Sequence, residues 1–265
     1  MHLRVTGLFY YPIKSCKGIS VNEAEIDPTG FKNDRLLMLV DDHGRFLTQR
    51  KIPRMALITP RLADDRLTLS APGMDERTFA LQSSGKEPDV RVWKDTLKAV
   101  DQGAMPAEWF SDFLGTGCRL VRMTNRHIRP LPPKHTISSD ARVSFADGFP
   151  FLLTAEESLD DLNRRLEVPV SMERFRPNIV ISGLPPYAED RLTAIQIGTV
   201  TFTIAKPCAR CVITTIDPET GRQGVEPLRT LSTYRLKKNK VLFGQNLIHR
   251  NRGTVSLEDT VHIII

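Results

Sequence analysis

A chain of 265 residues with 40% hydrophobic and 26% charged side chains can bury one large core or two smaller ones, which excludes fibrous, low-complexity and disordered classes. Its formal charge of +6 and pI near 9.2 leave room for an anionic cofactor, a nucleic acid or an acidic protein partner. No nucleic-acid-binding module and no basic residues interleaved with aromatics occur, and the densest basic run, Tyr234 to Lys240, reads as a solvated turn; no nucleic-acid partner is expected.

The first eleven residues read as a strand, without the basic stretch and long apolar core of an export signal. No apolar run approaches the length that spans a bilayer, so no membrane association is expected. With four cysteines and no export signal, the expected compartment is the cytoplasm, with reduced thiols. The prolines and glycines are spread out, as many turns between short strands require.

Hairpins follow the first strand. Leu36 to Val40 and Arg45 to Thr48 flank a turn at Asp42 to Gly44, and residues 57–59 and 67–70 flank Asp64 and Asp65. Residues 89–93 and 96–100 form another pair. Pro106 to Leu114 reads as a helix that packs Trp109, Phe110, Phe113 and Leu114 into the core and stops at Gly115. The proline-rich stretch within Thr124 to Pro133 breaks regular structure and divides the chain into 1–122 and 123–265.

Beyond it, Phe149 to Leu153 reads as a strand leading into a capping box at Thr154 and Glu157, with Leu159, Leu162 and Leu166 on one helix face. Strands are expected at 178–182, 194–197, 200–204 and 212–216, a helix within 227–236, and strands again at 255–257 and 261–265. The fold class is therefore mainly β with a few helices (α+β), barrel-like and in two parts.

The most informative motif is Cys208-Ala209-Arg210-Cys211, set between apolar runs. A thiol becomes a metal ligand or nucleophile as thiolate, a form that a cation such as Arg210 favours. A thioredoxin-like pair needs a helix N-terminus, whereas both flanks here read as strand. A structural zinc site needs four ligands, and Cys16, Cys118 and the six histidines offer no second pair at ligand spacing. Two buried structural cysteines, or one thiolate holding a metal that an organic cofactor mainly binds, remain open.

Other polar clusters punctuate the strands: Lys14, Ser15, Cys16, Lys17 and Gly18 after the first; Asn33, Asp34 and Arg35; Arg174, Arg176 and Asn178; and Gly244, Gln245 and Asn246. Cations, hydroxyls and amides of this kind suit an anionic or phosphate group. Together with the cysteine motif and Thr214 to Pro218, they resemble the MOSC-domain proteins with an N-terminal MOSC β-barrel domain. They are most similar to the amidoxime-reducing proteins of mitochondria and their bacterial counterparts, nearly end to end.

The resemblance implies a molybdenum cofactor (molybdopterin with its metal), with Cys211 rather than Cys208 as metal ligand and catalytic residue. Lys14, Ser15, Arg35, Arg176, Asn178, Ala209, Arg210 and Asn246 would hold the pterin and its phosphate, with Asp147 and Gly148 nearby. It implies reduction of N-hydroxylated compounds. The alternative is a non-catalytic cofactor carrier or a sulfur-transfer module. Pyridoxal phosphate enters only as a label of the wider family, since a full sulfurase needs a further large domain for which this length leaves no room. A two-iron two-sulfur cluster takes four cysteines, and none follows Cys211, so the expected partner is a separate ferredoxin-like or cytochrome-like carrier and its reductase.

Overall fold

The computed structural model describes residues 2–124, 126–127, 129–132 and 141–264. Asn125, Ile128 and Pro133 of the expected boundary, His135, and Ile265 of the expected last strand lie outside the described residues. Short strands dominate, accompanied by three α-helices among the described residues, as the mainly β reading requires.

The largest sheet runs in the order Ile19–Ser20, Arg4–Tyr10, Ile179–Ser182, Phe151–Ala155, Lys240–His249, Val200–Ala209, Ala194–Ile197, Val261–Ile264. All neighbours along it are antiparallel except Phe151–Ala155 and Ile179–Ser182, which run parallel. Arg4 bridges Thr260, and the Val261 N–H donates to Leu3 C=O at 2.9 Å, so the sheet meets its own far edge and closes. Alternate residues of these strands fill the interior: Val5, Leu8, Phe151, Leu153, Ile179, Ile181, Phe202 and Leu247 are all buried in one cluster. The chain's first strand thus lies in the sheet built by its second half, and Glu23–Asp27 likewise pairs with Thr254–Ser256.

A second core gathers the remaining N-terminal elements. Thr59–Ala63, Arg66–Ala71 and Met74–Ala80 form a meander, and Leu37–Val40 pairs with Arg119–Arg122. The helix Ala104–Leu114 lays Trp109, Phe110, Phe113 and Leu114 against Leu37, Leu39, Leu67, Leu69 and Leu120, as the aromatic spacing predicts. Gly115 stops it in a left-handed conformation (φ 66°), which lets its N–H reach Ser111 C=O.

Several local expectations fail: Leu166 lies beyond the helix Glu156–Asn163, and residue 57 ends a 3-10 helix, Pro53–Leu57. Arg45 to Thr48 makes only isolated bridges, Val40 with Phe46 and Arg45 with Arg91. No capping box forms at Thr154, which is buried in a strand with its hydroxyl turned to Met172 sulfur; the helix Glu156–Asn163 starts from Ala155 without a side-chain cap. Residues 212–216 are not a strand. Val212–Thr215 is a single 3-10 turn, because the Thr214 and Thr215 hydroxyls bond back to the carbonyls of Cys211 and Val212 at 3.0 and 2.8 Å.

Candidate functional site

The turn after the first strand is pinned by backbone bonds across the fold. Lys14 N–H reaches Leu37 C=O at 2.8 Å and Arg35 N–H reaches Tyr11 C=O at 2.7 Å. Ser15, Arg35 and Arg176 sit at φ of 69°, 48° and 55°, a left-handed region that costs a side-chain-bearing residue about 1 kcal/mol or more. All three face one cleft of about 190 Å³. The same cleft is lined by Lys14, Asp147, Gly148, Asn178, Ala209, Arg210, Cys211 and Asn246, so the fold brings together every residue named from the sequence.

The cleft is strongly cationic. Lys14 is 6% exposed, donates to Phe145 C=O at 2.8 Å and pairs with Asp147; burial pulls its pKa down while Asp147 opposes that. Crowding by protein atoms disfavours ionised Asp147, but Lys14, then Arg50 and the Trp93 indole N–H, outweigh it and hold the carboxyl well below the usual carboxylate range. Its side chain is 62% exposed, so water reaches it and the cations decide its charge. Arg35 pairs with buried Asp34 at 2.6 Å and donates to Asn178 Oδ1 at 3.1 Å. Arg176 donates to Cys16 C=O at 2.7 Å, and burial lowers its pKa.

Tyr11 is the shared support of these two arginines. Their guanidinium carbons lie 4.1 and 4.3 Å from its ring centroid, its hydroxyl donates to Pro177 C=O at 2.9 Å, and burial pushes its pKa up to about 12. Arg210 donates to Phe175 C=O at 2.6 Å, while its Nε is buried with no hydrogen-bond partner. An orphaned buried cationic donor of this kind carries a desolvation cost.

Cys211 follows the Val200–Ala209 strand and caps the 3-10 turn. The cation at its sulfur is not Arg210, as adjacency suggests, but Arg50, whose Nη2 lies 3.4 Å from Sγ. Arg210 turns to Cys208 instead, with Nη1 at 3.1 Å from that sulfur. The chain leaves the strand at Ala209 and turns at Cys211, so the two neighbouring side chains meet different partners. Arg50 also stacks over Trp93 at 4.7 Å and lies 3.8 Å from Asp147 Oδ2. Sequence reasoning missed Arg50, Thr48, Trp93 and Tyr11 as site residues. Only Tyr11, beside the Lys14 cluster, carried a local signal. Among the described residues, no group of three or more His, Cys, Asp and Glu is placed to hold a metal ion.

Residues 2–117 match the MOSC N-terminal beta barrel domain and residues 140–262 the MOSC domain. Mitochondrial amidoxime-reducing component 1 of Mus musculus is 38% identical over 98% of this chain and 82% of its own length. Mitochondrial amidoxime reducing component 2 of Rattus norvegicus is 37% identical over 98% and 83%, and the Homo sapiens component 1 is 37% identical over 98% and 82%. These names correct the cytoplasmic expectation: they point to mitochondria. Among the described residues no helix is long and apolar enough to cross a membrane. With matched N-terminal and MOSC domains and relatives similar along nearly its whole length, the chain belongs to the MOSC-domain family that includes the mitochondrial amidoxime-reducing components.

Proposed function

We propose that the chain is a molybdenum-cofactor-dependent oxidoreductase that reduces N-hydroxylated compounds, with electrons from a separate ferredoxin-like or cytochrome-like carrier and its reductase. The observation that carries this reading is a pair of half-buried thiols, Cys208 and Cys211, in a cleft with five cations, Lys14, Arg35, Arg50, Arg176 and Arg210, of which Arg50 lies at the Cys211 sulfur. The relatives named amidoxime-reducing components support the reaction class.

The donor set fits an anionic pterin. Lys14, Arg35, Arg176 and Arg210 would hold its phosphate. The Ser15 hydroxyl, the Asn178 and Asn246 amides, and the backbone at Gly148 and Ala209 would meet the ring edges, with Cys211 as metal ligand. When bound, such a cofactor supplies the two-electron chemistry that removes oxygen from an N–OH group. The chain holds and orients it and limits water with the Phe149, Phe151 and Phe175 side chains. Asp147, whose carboxyl Lys14 and Arg50 hold below the usual range, orients these cations.

The test is metal analysis of protein from a host that makes the cofactor, followed by turnover of benzamidoxime with an artificial electron donor. Cys211→Ser should lose both metal and turnover, since a hydroxyl is a poor substitute for thiolate, while Cys208→Ser keeps most of both. Equal loss in the two variants refutes the single-ligand assignment. Bound molybdenum without turnover would favour the carrier reading.

A further inference from the structure

A larger cavity, about 650 Å³, opens beside the cleft, and Asp147 and Gly148 line both. One wall is aromatic: the Phe46 and Trp93 rings lie 5.0 Å apart, and Trp93 is 42% exposed although apolar burial would favour hiding it. Trp93 is held there at φ 56°, by Arg50 over its ring and by its indole N–H on Asp147 Oδ1 at 3.2 Å. Pro130, Leu131, Pro132 and Val143 add apolar lining. The lining cations differ in their commitments. Arg129 is buried and forks onto Asp95, whereas Arg91 and Lys94 are exposed and make no ion pair with a described residue.

We propose that this cavity is the substrate subsite, and that it selects flat aromatic N-hydroxylated compounds carrying an anionic substituent. The inference rests on the reductase reading for the cleft next door. Trp93, 42% exposed between Arg50 over its ring and Phe46 beside it, offers aromatic contact next to the cleft that holds Cys211, and Arg91 and Lys94 supply unpaired positive charge where a substituent would project. Aliphatic N-hydroxylated compounds would lose the stacking contact and neutral aromatics the charge contact.

Trp93 also reports its own occupancy, because the protein's other tryptophan, Trp109, is 3% exposed in the core. Fluorescence is titrated with 4-carboxybenzamidoxime, benzamidoxime and acetamidoxime. The expected result is quenching by both aromatic probes, with the carboxylate binding about fivefold tighter, the size of two exposed charge pairs. Acetamidoxime should not quench. In calorimetric titration, Trp93→Leu should weaken both aromatic probes about tenfold. Arg91→Gln combined with Lys94→Gln, both on the surface, should narrow the carboxylate preference to less than about twofold, as should salt near 1 M. Equal binding of all three probes, or a preference that survives the double substitution, overturns the proposal. The readout needs neither metal nor turnover, so its failure is separable from failure of the reductase reading.

Discussion

Removing the Tyr11 ring tests whether the anion-binding arginines are held in advance. Tyr11→Phe deletes only the hydroxyl and leaves the Pro177 carbonyl, its partner at 2.9 Å, without a donor. A buried acceptor left unpaired costs about 1–2 kcal/mol. Tyr11→Leu also removes the ring under Arg35 and Arg176, at 4.1 and 4.3 Å, each contact being worth about 0.5–2 kcal/mol when desolvated. The expected total for the leucine variant is about 2–6 kcal/mol. Urea unfolding of cofactor-free protein reads this as two steps in midpoint at constant slope. Molybdenum content reads the second half: Tyr11→Phe should stay near wild type and Tyr11→Leu should fall. If the two variants unfold at the same midpoint, or if Tyr11→Leu keeps its metal, Tyr11 does not preorganise the arginines.

Acid sensitivity follows from carboxyls held below their ordinary value of 3.8: the Arg165 bond lowers Asp161, and the Arg119 fork, at 2.6 and 2.8 Å, overcomes the effect of burial on Asp101. Their folded pKa lies below the unfolded one, so their stabilisation is complete above that value and is lost as pH falls beneath it; Asp101→Asn should flatten the fall in melting temperature below about pH 4. Isolated protein should not turn over with NADH alone, since no nicotinamide fingerprint is present, and an acidic carrier with its reductase should restore a rate that declines between about 0.1 and 1 M salt. Rapid NADH-dependent turnover without a carrier would refute the separate donor.

How much was legible in the sequence depended on how local each cause was. The aromatic helix, the pairing of Asp89–Val92 with Asp95–Lys98 and the strand Val261–Ile264 followed from periodicity, because burial of alternate or fourth residues is written in neighbouring positions. The cleft residues were legible through resemblance to a family, and the fold gathers all of them. Arg50 was not legible. It lies 161 residues from Cys211, in a stretch without pattern, and only closure of the fold brings it to that sulfur. The β-branched run at Val212 to Ile216 misled, because threonine hydroxyls that return to their own backbone favour a turn over a ladder.

The first strand's place beside Ile179–Ser182 governs how the molecule can be made. During synthesis it emerges early with only the short Ile19–Ser20 beside it, and its partner Ile179–Ser182 arrives when residue 182 has left the ribosome, so the second core can assemble while the barrel waits. A fragment limited to the matched MOSC region, residues 140–262, would present Ile179–Ser182 as a bare edge open to intermolecular pairing. The same geometry offers a remedy: Leu3 and Val261 are hydrogen-bonded neighbours, so joining the two ends and opening the chain in an exposed loop would give a circular permutant in which the barrel strands are made consecutively.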